Sequence, residues 1–256
     1  VRGILERKEL YIIDLDGVVY QGSKLVPGAD RAIRCFRGMG KKIIFLTNNS
    51  ALHPKSLAEK LARLGIDCGE DEIVNAALGA ALFVRGRKRD LQNGVFVIGT
   101  GDLSAILKEH GVRVSSDPGK CSSLLVGMTP DLNLDMIANG LRALNRGVPF
   151  IACNRDASYP GEGGVRFPGC GAIVGALIGA SLRQPDHVVG KPSPHILRIV
   201  LRRMGARPEE CVVFGDSLQA DISMAAAEGV ASIWIRPPGL AREIKHNGIR
   251  PTASIS

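Results

Sequence analysis

The segment Leu10–Gly17, LYIIDLDG, places four consecutive apolar residues directly before two aspartates and a glycine. A short, continuous apolar run is typical of a strand that is buried on both faces, as in a parallel sheet. The run stops at Asp14, and Asp16 follows at once, so both carboxylates come where the strand ends. The pattern recurs at Lys42–Leu46, a second apolar run that ends in Thr47-Asn48-Asn49-Ser50.

Two strands near the other end of the chain also finish in polar residues. Val188–Lys191 ends in a lysine, and Cys211–Phe214 is followed by Gly215-Asp216-Ser217. Helical periodicity separates the strands, for example over Gly28–Met39 and Pro194–Met204. This alternation predicts right-handed strand–helix–strand units and a mostly parallel sheet. From about residue 78 the alternation starts afresh, which indicates a second α/β unit.

Charge and composition limit the classes of partner. A net charge of +8 and a pI near 9.4 favour anionic partners in general. The basic run Arg85–Arg89 has no interleaved aromatic residues, so we interpret it as a solvated helix end and expect no nucleic acid polymer as partner. The longest apolar stretch, Cys170–Leu182, is too short to span a bilayer. Six cysteines without paired spacing, and no recognisable signal peptide, favour reduced thiols in a cytoplasmic protein.

The polar strand ends predict one site. Ligands of open α/β sheets bind outside the carboxyl ends of the strands, so Asp14, Asp16, Lys191 and Asp216 should converge there with Thr47. Three carboxylates, with only one ammonium to balance their charge, would repel one another unless a hard divalent cation joined them. Mg²⁺ suits such oxygen ligands. A nucleophilic carboxylate beside Mg²⁺ is typical of phosphoryl transfer through an aspartyl-phosphate. Thr47 and the backbone N–H groups near Asn48 and Gly17 are candidates to hold the phosphoryl oxygens.

The order of these motifs resembles the haloacid dehalogenase (HAD) superfamily over nearly the whole chain. The four motifs are DLDGVV at Asp14–Val19, TNNS at Thr47–Ser50, GKPSP at Gly190–Pro194, and Gly215-Asp216-Ser217 with Asp221 after it. TNNS, GKPSP and the segment Asn154-Arg155-Asp156 are similar to the NagD / 4-nitrophenylphosphatase-like branch. The resemblance implies a Rossmann-like three-layer core with a parallel sheet, formed by residues 1–77 and 188–256. Residues 78–187 would be an inserted α/β cap domain.

The resemblance also implies roles for the core residues. Asp14 would be the nucleophile and a Mg²⁺ ligand, and Asp16 the general acid/base that gives the metal only its backbone oxygen. Lys191 would balance charge, Asp216 would bind the metal, and Asp221 would be a further carboxylate that binds the metal directly or through its neighbours. The phosphate would be held by the TNNS residues Thr47, Asn48 and Asn49.

Substrate choice is expected in the cap segment Asn154–Gly171, where Asp156 and Tyr159 are candidate contacts. The predicted activity is Mg²⁺-dependent hydrolysis of small phosphate monoesters of the 4-nitrophenyl, nucleotide, sugar or glycolate type. The expected partner is a small phosphorylated metabolite, with no membrane, and a homodimer stays an open alternative. The sequence departs from the family at Ala220, where many relatives have threonine. It also stops at Ser256, where relatives usually continue into a short strand and a helix.

Three other functions compete with a phosphatase. A catalytically idle protein that binds a phosphometabolite is one, although all four motifs are intact. A nucleotide-cofactor oxidoreductase depends on Gly99-Thr100-Gly101 alone, which mimics part of a dinucleotide fingerprint. A dehalogenase is disfavoured because halide needs no proton on leaving, whereas Asp16 suits protonation of an alkoxide.

Overall fold

Parallel sheets with helices between their strands form the framework of the protein. In the computed structural model, residues 2–87, 92–160, 165–236 and 248–255 are described. The strands are β1 Leu10–Ile13, β2 Tyr20–Gln21, β3 Lys24–Leu25, β4 Lys42–Thr47, β5 Ile73–Asn75, β6 Val95–Ile98, β7 Val114–Ser115, β8 Ser123–Val126, β9 Phe150–Ala152, β10 Ser158–Pro160, β11 Arg166–Pro168, β12 His187–Val188, β13 Cys211–Gly215, β14 Ala231–Ile235 and β15 Ala253–Ile255.

The helices alternate with these strands along the chain. They are α1 Arg2–Glu6, α2 Ala29–Gly38, α3 Pro54–Arg63, α4 Ala76–Arg85, α5 Gly101–Glu109, α6 Leu134–Leu144, α7 Cys170–Ser181, α8 Pro194–Met204 and α9 Ser223–Ala227. A π-helical turn, Leu218–Ile222, leads into α9. No helix in the described part of the chain is long and apolar enough to cross a membrane.

The chain divides into two units. The first comprises residues 1–47, 57–74 and 191–256, and the second comprises residues 48–56 and 75–190. The predicted α/β class, with a parallel-sheet core and an inserted α/β unit, is confirmed. The limits given from the sequence, 77/78 and 187/188, stay a prediction. In the structure the short segment 48–56, which follows β4, groups with the inserted unit.

The sheet of the first unit has β1 near its middle, in the order β15-β14-β13-β1-β4-β5. β1 pairs in parallel with β13 on one side and with β4 on the other. The chain therefore moves outward in one direction through β4 and β5, and in the other through β14 and β15. Such a reversal of strand order beside β1 creates the crevice in which α/β proteins bind ligands.

All four residues of β1 are buried, as a strand covered on both faces requires. Tyr11 packs edge-on against Phe36 with ring centroids 4.7 Å apart, and both rings contact Phe214. Each fully buried apolar side chain contributes about 1.5–3 kcal/mol. This packing fixes the position at which Asp14 leaves the sheet.

The sheet of the second unit is parallel throughout, in the order β12-β9-β8-β6-β7. Strands β6 and β8 coincide with Val95–Ile98 and Ser123–Val126, the runs for which the sequence predicts strands. The antiparallel hairpin of β10 and β11 was not predicted, because three-residue strands are too short to show a pattern. Two members of the basic run, Lys88 and Arg89, lie outside the described residues.

The Gly99-Thr100-Gly101 motif begins helix α5. The Thr100 side chain accepts a hydrogen bond from Leu103 N and donates one to Ala51 O at 2.7 Å. A Cβ atom at Gly99 would lie 2.6 Å from Leu103 Cδ2, so this glycine allows close packing of the turn on its own helix. These contacts account for the motif as a capped helix start, without a nucleotide.

Candidate active site

Asp14 stands at the end of β1 and is held from two directions. Its backbone N–H donates to Phe214 O at 2.9 Å, which continues the β1–β13 ladder by one residue. Its Oδ1 accepts a hydrogen bond from Leu15 N at 2.8 Å and an ion-paired contact from Lys191 Nζ at 2.7 Å. The residue is only 7% exposed. The carboxylate is therefore fixed before any substrate arrives.

Lys191 binds two carboxylates at once. Its Nζ lies 2.7 Å from Asp14 Oδ1 and 2.7 Å from Asp221 Oδ1, and it also donates to Leu46 O at 3.3 Å. Burial opposes the charge of this ammonium, but the two aspartates outweigh burial and raise the pKa of Lys191 above its usual value. Lys191 is thus a buried cation between β1, β4 and the turn after β13.

Asp221 lies within the π-helical turn and is buried. Its Oδ1 accepts a hydrogen bond from Lys191 Nζ at 2.7 Å, and its Oδ2 accepts one from Ser217 N at 3.1 Å. A Cβ atom at Gly215 would lie 2.2 Å from the Asp221 Cβ, so only glycine at the end of β13 lets this carboxylate approach. Each Asp221 carboxylate oxygen thus has a hydrogen-bond partner in this structure, Lys191 Nζ for one and the backbone of the turn for the other.

Asp216 follows β13 and faces the same centre. Burial and then the charge of Asp221 raise the pKa of Asp216 to about 6. A Cβ atom at Gly17 would lie 2.1 Å from Asp216 Oδ2, and Gly17 has a φ of +86°, so this position needs glycine for both space and backbone. The Gly17 N–H donates to Tyr20 O at 2.8 Å, so in this structure it is occupied. Phosphate binding by backbone N–H groups near Gly17 stays a prediction.

The carboxylate of Asp16 is turned toward two hydroxyl groups. Thr47 and Tyr20 both donate hydrogen bonds to it. Burial raises the pKa of Asp16, and the nearby ammonium groups of Lys60 and Lys191 oppose the rise together with the two hydroxyls. Thr47, expected to bind phosphate, therefore has a contact with Asp16, and its phosphate contact stays a prediction.

The acidic centre has the composition of a site for a hard cation. Asp14, Asp216 and Asp221 each offer a carboxylate oxygen, and these atoms lie within 4.8 Å of one another. Burial, and then the charge of Asp221, raise the pKa of Asp14 well above its usual value despite the contact with Lys191. One buried ammonium thus does not balance the carboxylates, and a divalent cation with oxygen preference would.

Asn48 and Asn49 belong to the second unit, and their side chains have partners there. The Asn48 amide nitrogen lies 3.1 and 3.0 Å from the two carboxylate oxygens of Asp156, and Asn154 Nδ2 donates to Asn48 O at 2.6 Å. Asn49 Oδ1 accepts hydrogen bonds from the backbone of Ala51 and Leu52. Phosphate binding by either residue stays a prediction, and the Asn48–Asp156 pair is a contact that the sequence did not reveal.

Tyr159 lies on the β10–β11 hairpin of the second unit and is 42% exposed. Its ring stacks on Phe167, across the hairpin, with centroids 5.8 Å apart. Part of the expected specificity segment, residues 161–164, lies outside the described residues. The pair presents an aromatic surface, which is one way to recognise the non-reacting part of a substrate.

The first unit thus contains seven of the predicted residues. Asp14, Asp16, Gly17, Thr47 and Asp216 lie at or directly after the ends of β1, β4 and β13, and Lys191 and Asp221 join them through the ion pairs with Lys191 Nζ. Sequence reasoning missed Tyr20 and Lys60, although Tyr20 stands only four residues after Asp16. Nothing in the sequence signalled that the Tyr20 side chain would point back to the Asp16 carboxylate.

The fold and this site define a hydrolase class, and family comparison agrees. A model described as haloacid dehalogenase-like hydrolase matches residues 11–113, and a second HAD-hydrolase-like model matches residues 188–255. The chain therefore belongs to the haloacid dehalogenase-like hydrolases. It is 33% identical over 224 residues to the sugar-phosphatase AraL of Bacillus subtilis, covering 88% of this chain and 81% of that protein.

Solved structures narrow the class. The p-nitrophenyl phosphatase of Archaeoglobus fulgidus is 33% identical, with a TM-score of 0.88 over 97% of this chain and 95% of that one. NagD of Escherichia coli K-12 is 31% identical, with a TM-score of 0.84 over 96% of this chain and 95% of that one. Within its family the protein is a phosphatase of the NagD-like branch, as TNNS, GKPSP and the segment Asn154-Arg155-Asp156 predicted.

Proposed function

We propose that the protein is a Mg²⁺-dependent phosphatase that hydrolyses small phosphate monoesters through a covalent aspartyl-phosphate on Asp14. The observation that carries this proposal is the buried Asp14 carboxylate, held at 2.7 Å by Lys191 with Asp16 two residues away. A buried carboxylate with a fixed orientation can serve as a nucleophile. Lys191 lowers the cost of bringing a phosphate dianion to it.

In the first step a carboxylate oxygen of Asp14 attacks the phosphorus. The bond from phosphorus to the leaving oxygen breaks, and Asp16 gives its proton to that oxygen, so an alcohol departs. The raised pKa of Asp16 suits a carboxyl that must hold a proton at this stage. Asp14 cannot supply this proton, since its own oxygen now bonds to phosphorus.

In the second step a water molecule attacks the phosphorus of the aspartyl-phosphate. Asp16, now ionised, accepts the proton of this water, and the phosphorus–oxygen bond to Asp14 breaks. Inorganic phosphate is released, and both aspartates return to their starting states. Lys191 stays beside Asp14 through both steps, because Asp221 and Leu46 O also hold its ammonium.

The residues that would hold Mg²⁺ are Asp14, Asp216 and the backbone oxygen of Asp16, with Asp221 beside them. The close group of carboxylate oxygens and the raised pKa values of Asp14 and Asp216 support this assignment. When bound, the ion would neutralise charge on the phosphoryl group, so that an anionic nucleophile can approach it.

The substrate we propose is a small phosphorylated metabolite. The names of the relatives, a sugar-phosphatase and a p-nitrophenyl phosphatase, support phosphate monoesters with small leaving groups. Asp156 and Tyr159 of the second unit are our candidates for discrimination among them. The core residues meet only the phosphoryl group, which all substrates share, so specificity needs contacts elsewhere.

The direct test is turnover of 4-nitrophenyl phosphate with Mg²⁺, with the Asp14→Asn variant as the control. We expect steady release of 4-nitrophenolate by the native protein and none above background by the variant. Equal binding of phosphate by both proteins without turnover by either would instead favour the idle phosphometabolite-binding alternative. A panel of sugar, nucleotide and glycolate phosphates then ranks the substrates.

A further inference from the structure

Tyr20 is a buried phenol placed against the proposed general acid/base. It is 1% exposed, and its hydroxyl donates a hydrogen bond to the Asp16 carboxylate. The backbone between the two residues is closed on itself, because Tyr20 N donates to Leu15 O at 3.1 Å and Gly17 N donates to Tyr20 O at 2.8 Å. The ring therefore has a defined direction relative to Asp16, set by a turn of a few residues.

The ring of Tyr20 is covered by a cation. Lys60, on helix α3, places its Nζ 3.5 Å from the ring centroid. A cation over the face of an aromatic ring is attracted by the ring quadrupole. Lys60 is half-buried in this position. This contact restrains the orientation of the ring.

Asp16 thus has two hydroxyl donors, Tyr20 and Thr47. A carboxyl group that accepts two such hydrogen bonds is restrained in its rotation about the Cα–Cβ and Cβ–Cγ bonds. A general acid must lie within hydrogen-bond reach of the leaving oxygen. A restrained carboxyl meets that requirement more often than a freely rotating one.

We propose that Tyr20, held by Lys60, is a positioning residue that directs the Asp16 carboxyl toward the leaving-group oxygen. This inference rests on the proposed function, because it needs Asp16 to be the general acid. Neither Tyr20 nor Lys60 contacts the phosphoryl group in this account. Their effect should therefore depend on how much the leaving group needs a proton.

That dependence gives a specific test with a series of aryl phosphates of similar shape: 4-nitrophenyl, phenyl and 4-methoxyphenyl phosphate. A 4-nitrophenolate leaves readily without a proton, whereas the more basic 4-methoxyphenolate needs one. The quantity to compare is kcat/KM, which reports the phosphorylation step. Tyr20→Phe removes one oxygen, and Tyr11→Phe is its matched control, because Tyr11 is also buried and donates to Leu5 O.

We expect Tyr20→Phe to lower kcat/KM by less than about threefold for 4-nitrophenyl phosphate and by about tenfold or more for 4-methoxyphenyl phosphate, a part of the roughly 10²–10⁴ that a general acid contributes. Lys60→Met should also lower kcat/KM more for 4-methoxyphenyl than for 4-nitrophenyl phosphate, with a smaller difference than Tyr20→Phe. Lys60→Arg should restore kcat/KM for both substrates. Tyr11→Phe should leave the profile unchanged. Lys60→Met also keeps the test decisive if Tyr20→Phe folds poorly.

A uniform loss across the series for Tyr20→Phe and Lys60→Met, or the absence of any loss, would overturn the positioning role. The Asp16→Asn variant separates this outcome from failure of the proposed function. If Asp16→Asn itself shows no dependence on the leaving group, then Asp16 is not the acid and the proposed mechanism is wrong. If Asp16→Asn shows a steep dependence and Tyr20→Phe shows none, only the inference about Tyr20 fails.

Discussion

Replacing Lys191 should lower both the stability of the fold and the catalytic activity, for different physical reasons. Its Nζ lies 2.7 Å from one oxygen of Asp14 and 2.7 Å from one of Asp221, and all three residues are buried. At an effective dielectric near 20, each such contact corresponds to about 6 kcal/mol of Coulomb attraction, most of which offsets desolvation. Removing one partner of a buried pair leaves an uncompensated charge and typically costs about 3–5 kcal/mol.

Lys191→Met keeps most of the side-chain volume, so we expect a loss of about 3–5 kcal/mol in the free energy of unfolding, measured in urea without added metal. The catalytic loss is expected to be about 2–3 kcal/mol, roughly 30- to 200-fold in kcat/KM for 4-nitrophenyl phosphate. Lys120→Met is the control, because its ion pair with Asp117 is 3.7 Å long and exposed. Such a pair contributes at most about 1 kcal/mol.

A second substitution separates the effect of Lys191 on stability from its effect on activity. Asp221→Asn removes one of the charges that Lys191 compensates, so Lys191→Met should cost less stability when Asp221→Asn is already present. We expect a coupling energy of about 2 kcal/mol or more in the free energy of unfolding. The double variant should keep the reduced kcat/KM of Lys191→Met. If Lys191→Met costs less than about 1 kcal/mol and is additive with Asp221→Asn, the buried charge centre described above is wrong.

Three further predictions address the nucleophile, the metal and the second unit. Asp14→Asn should keep the fold, as judged by circular dichroism, and lower kcat by roughly 10³-fold or more; a loss below about tenfold would rule out Asp14 as the nucleophile. Activity should disappear in excess chelator, return with Mg²⁺ and be inhibited by Ca²⁺, which accepts more ligands and looser geometry; full activity after metal removal verified by elemental analysis contradicts this. Tyr159→Ala should reorder a substrate panel while changing hydrolysis of 4-nitrophenyl phosphate by less than about tenfold. Phe167→Ala, which removes the stacking partner, should reorder the panel similarly, and an unchanged ranking in both variants would remove this hairpin from recognition.

The sequence predicted the sheets well where strands are long and buried. β1 and helix α8 begin and end at the predicted residues, because a continuous apolar run marks the strand and a proline after a serine marks the start of the helix. Several short strands, such as those of the β10–β11 hairpin, were missed, since two or three residues carry no periodicity. The edge strand Ala253–Ile255 is an example, because its identity as a strand depends on pairing with β14 and not on its own residues.

The candidate site was predictable in its strand ends and unpredictable in its contacts. Asp14 and Asp216 follow β1 and β13, which are neighbours in one parallel sheet, and this determines where they meet. Lys191 comes three residues after β12, which pairs with β9 in the sheet of the second unit, so the expectation that its strand belongs to the core sheet was wrong. Their partners depend on the course of turns: Asp221 reaches Lys191 through a π-helical turn, and Tyr20 reaches Asp16 through a tight loop. A hydrophobic pattern cannot show the direction of a side chain in a turn.

Asn48 is a further residue whose side-chain partner the sequence could not show. The TNNS motif indicated a phosphate-binding loop, but the partner of the Asn48 amide, Asp156, lies 108 residues further along the chain. Long-range polar pairs of this kind leave no trace in the spacing of one sequence. The segment 48–56, which follows β4 directly, groups with the inserted unit.

The central claim is that phosphate passes through a covalent bond to Asp14, and trapping that bond tests it most directly. The Asp16→Asn variant should still be phosphorylated by 4-nitrophenyl phosphate, whose leaving group needs no proton, but it lacks the base for the second step. We expect rapid acid quench with ³²P-labelled substrate to give close to one label per chain, labile to hydroxylamine and located by peptide mapping on Asp14. A burst of 4-nitrophenolate without label on the protein, or a label on any other residue, would contradict the account.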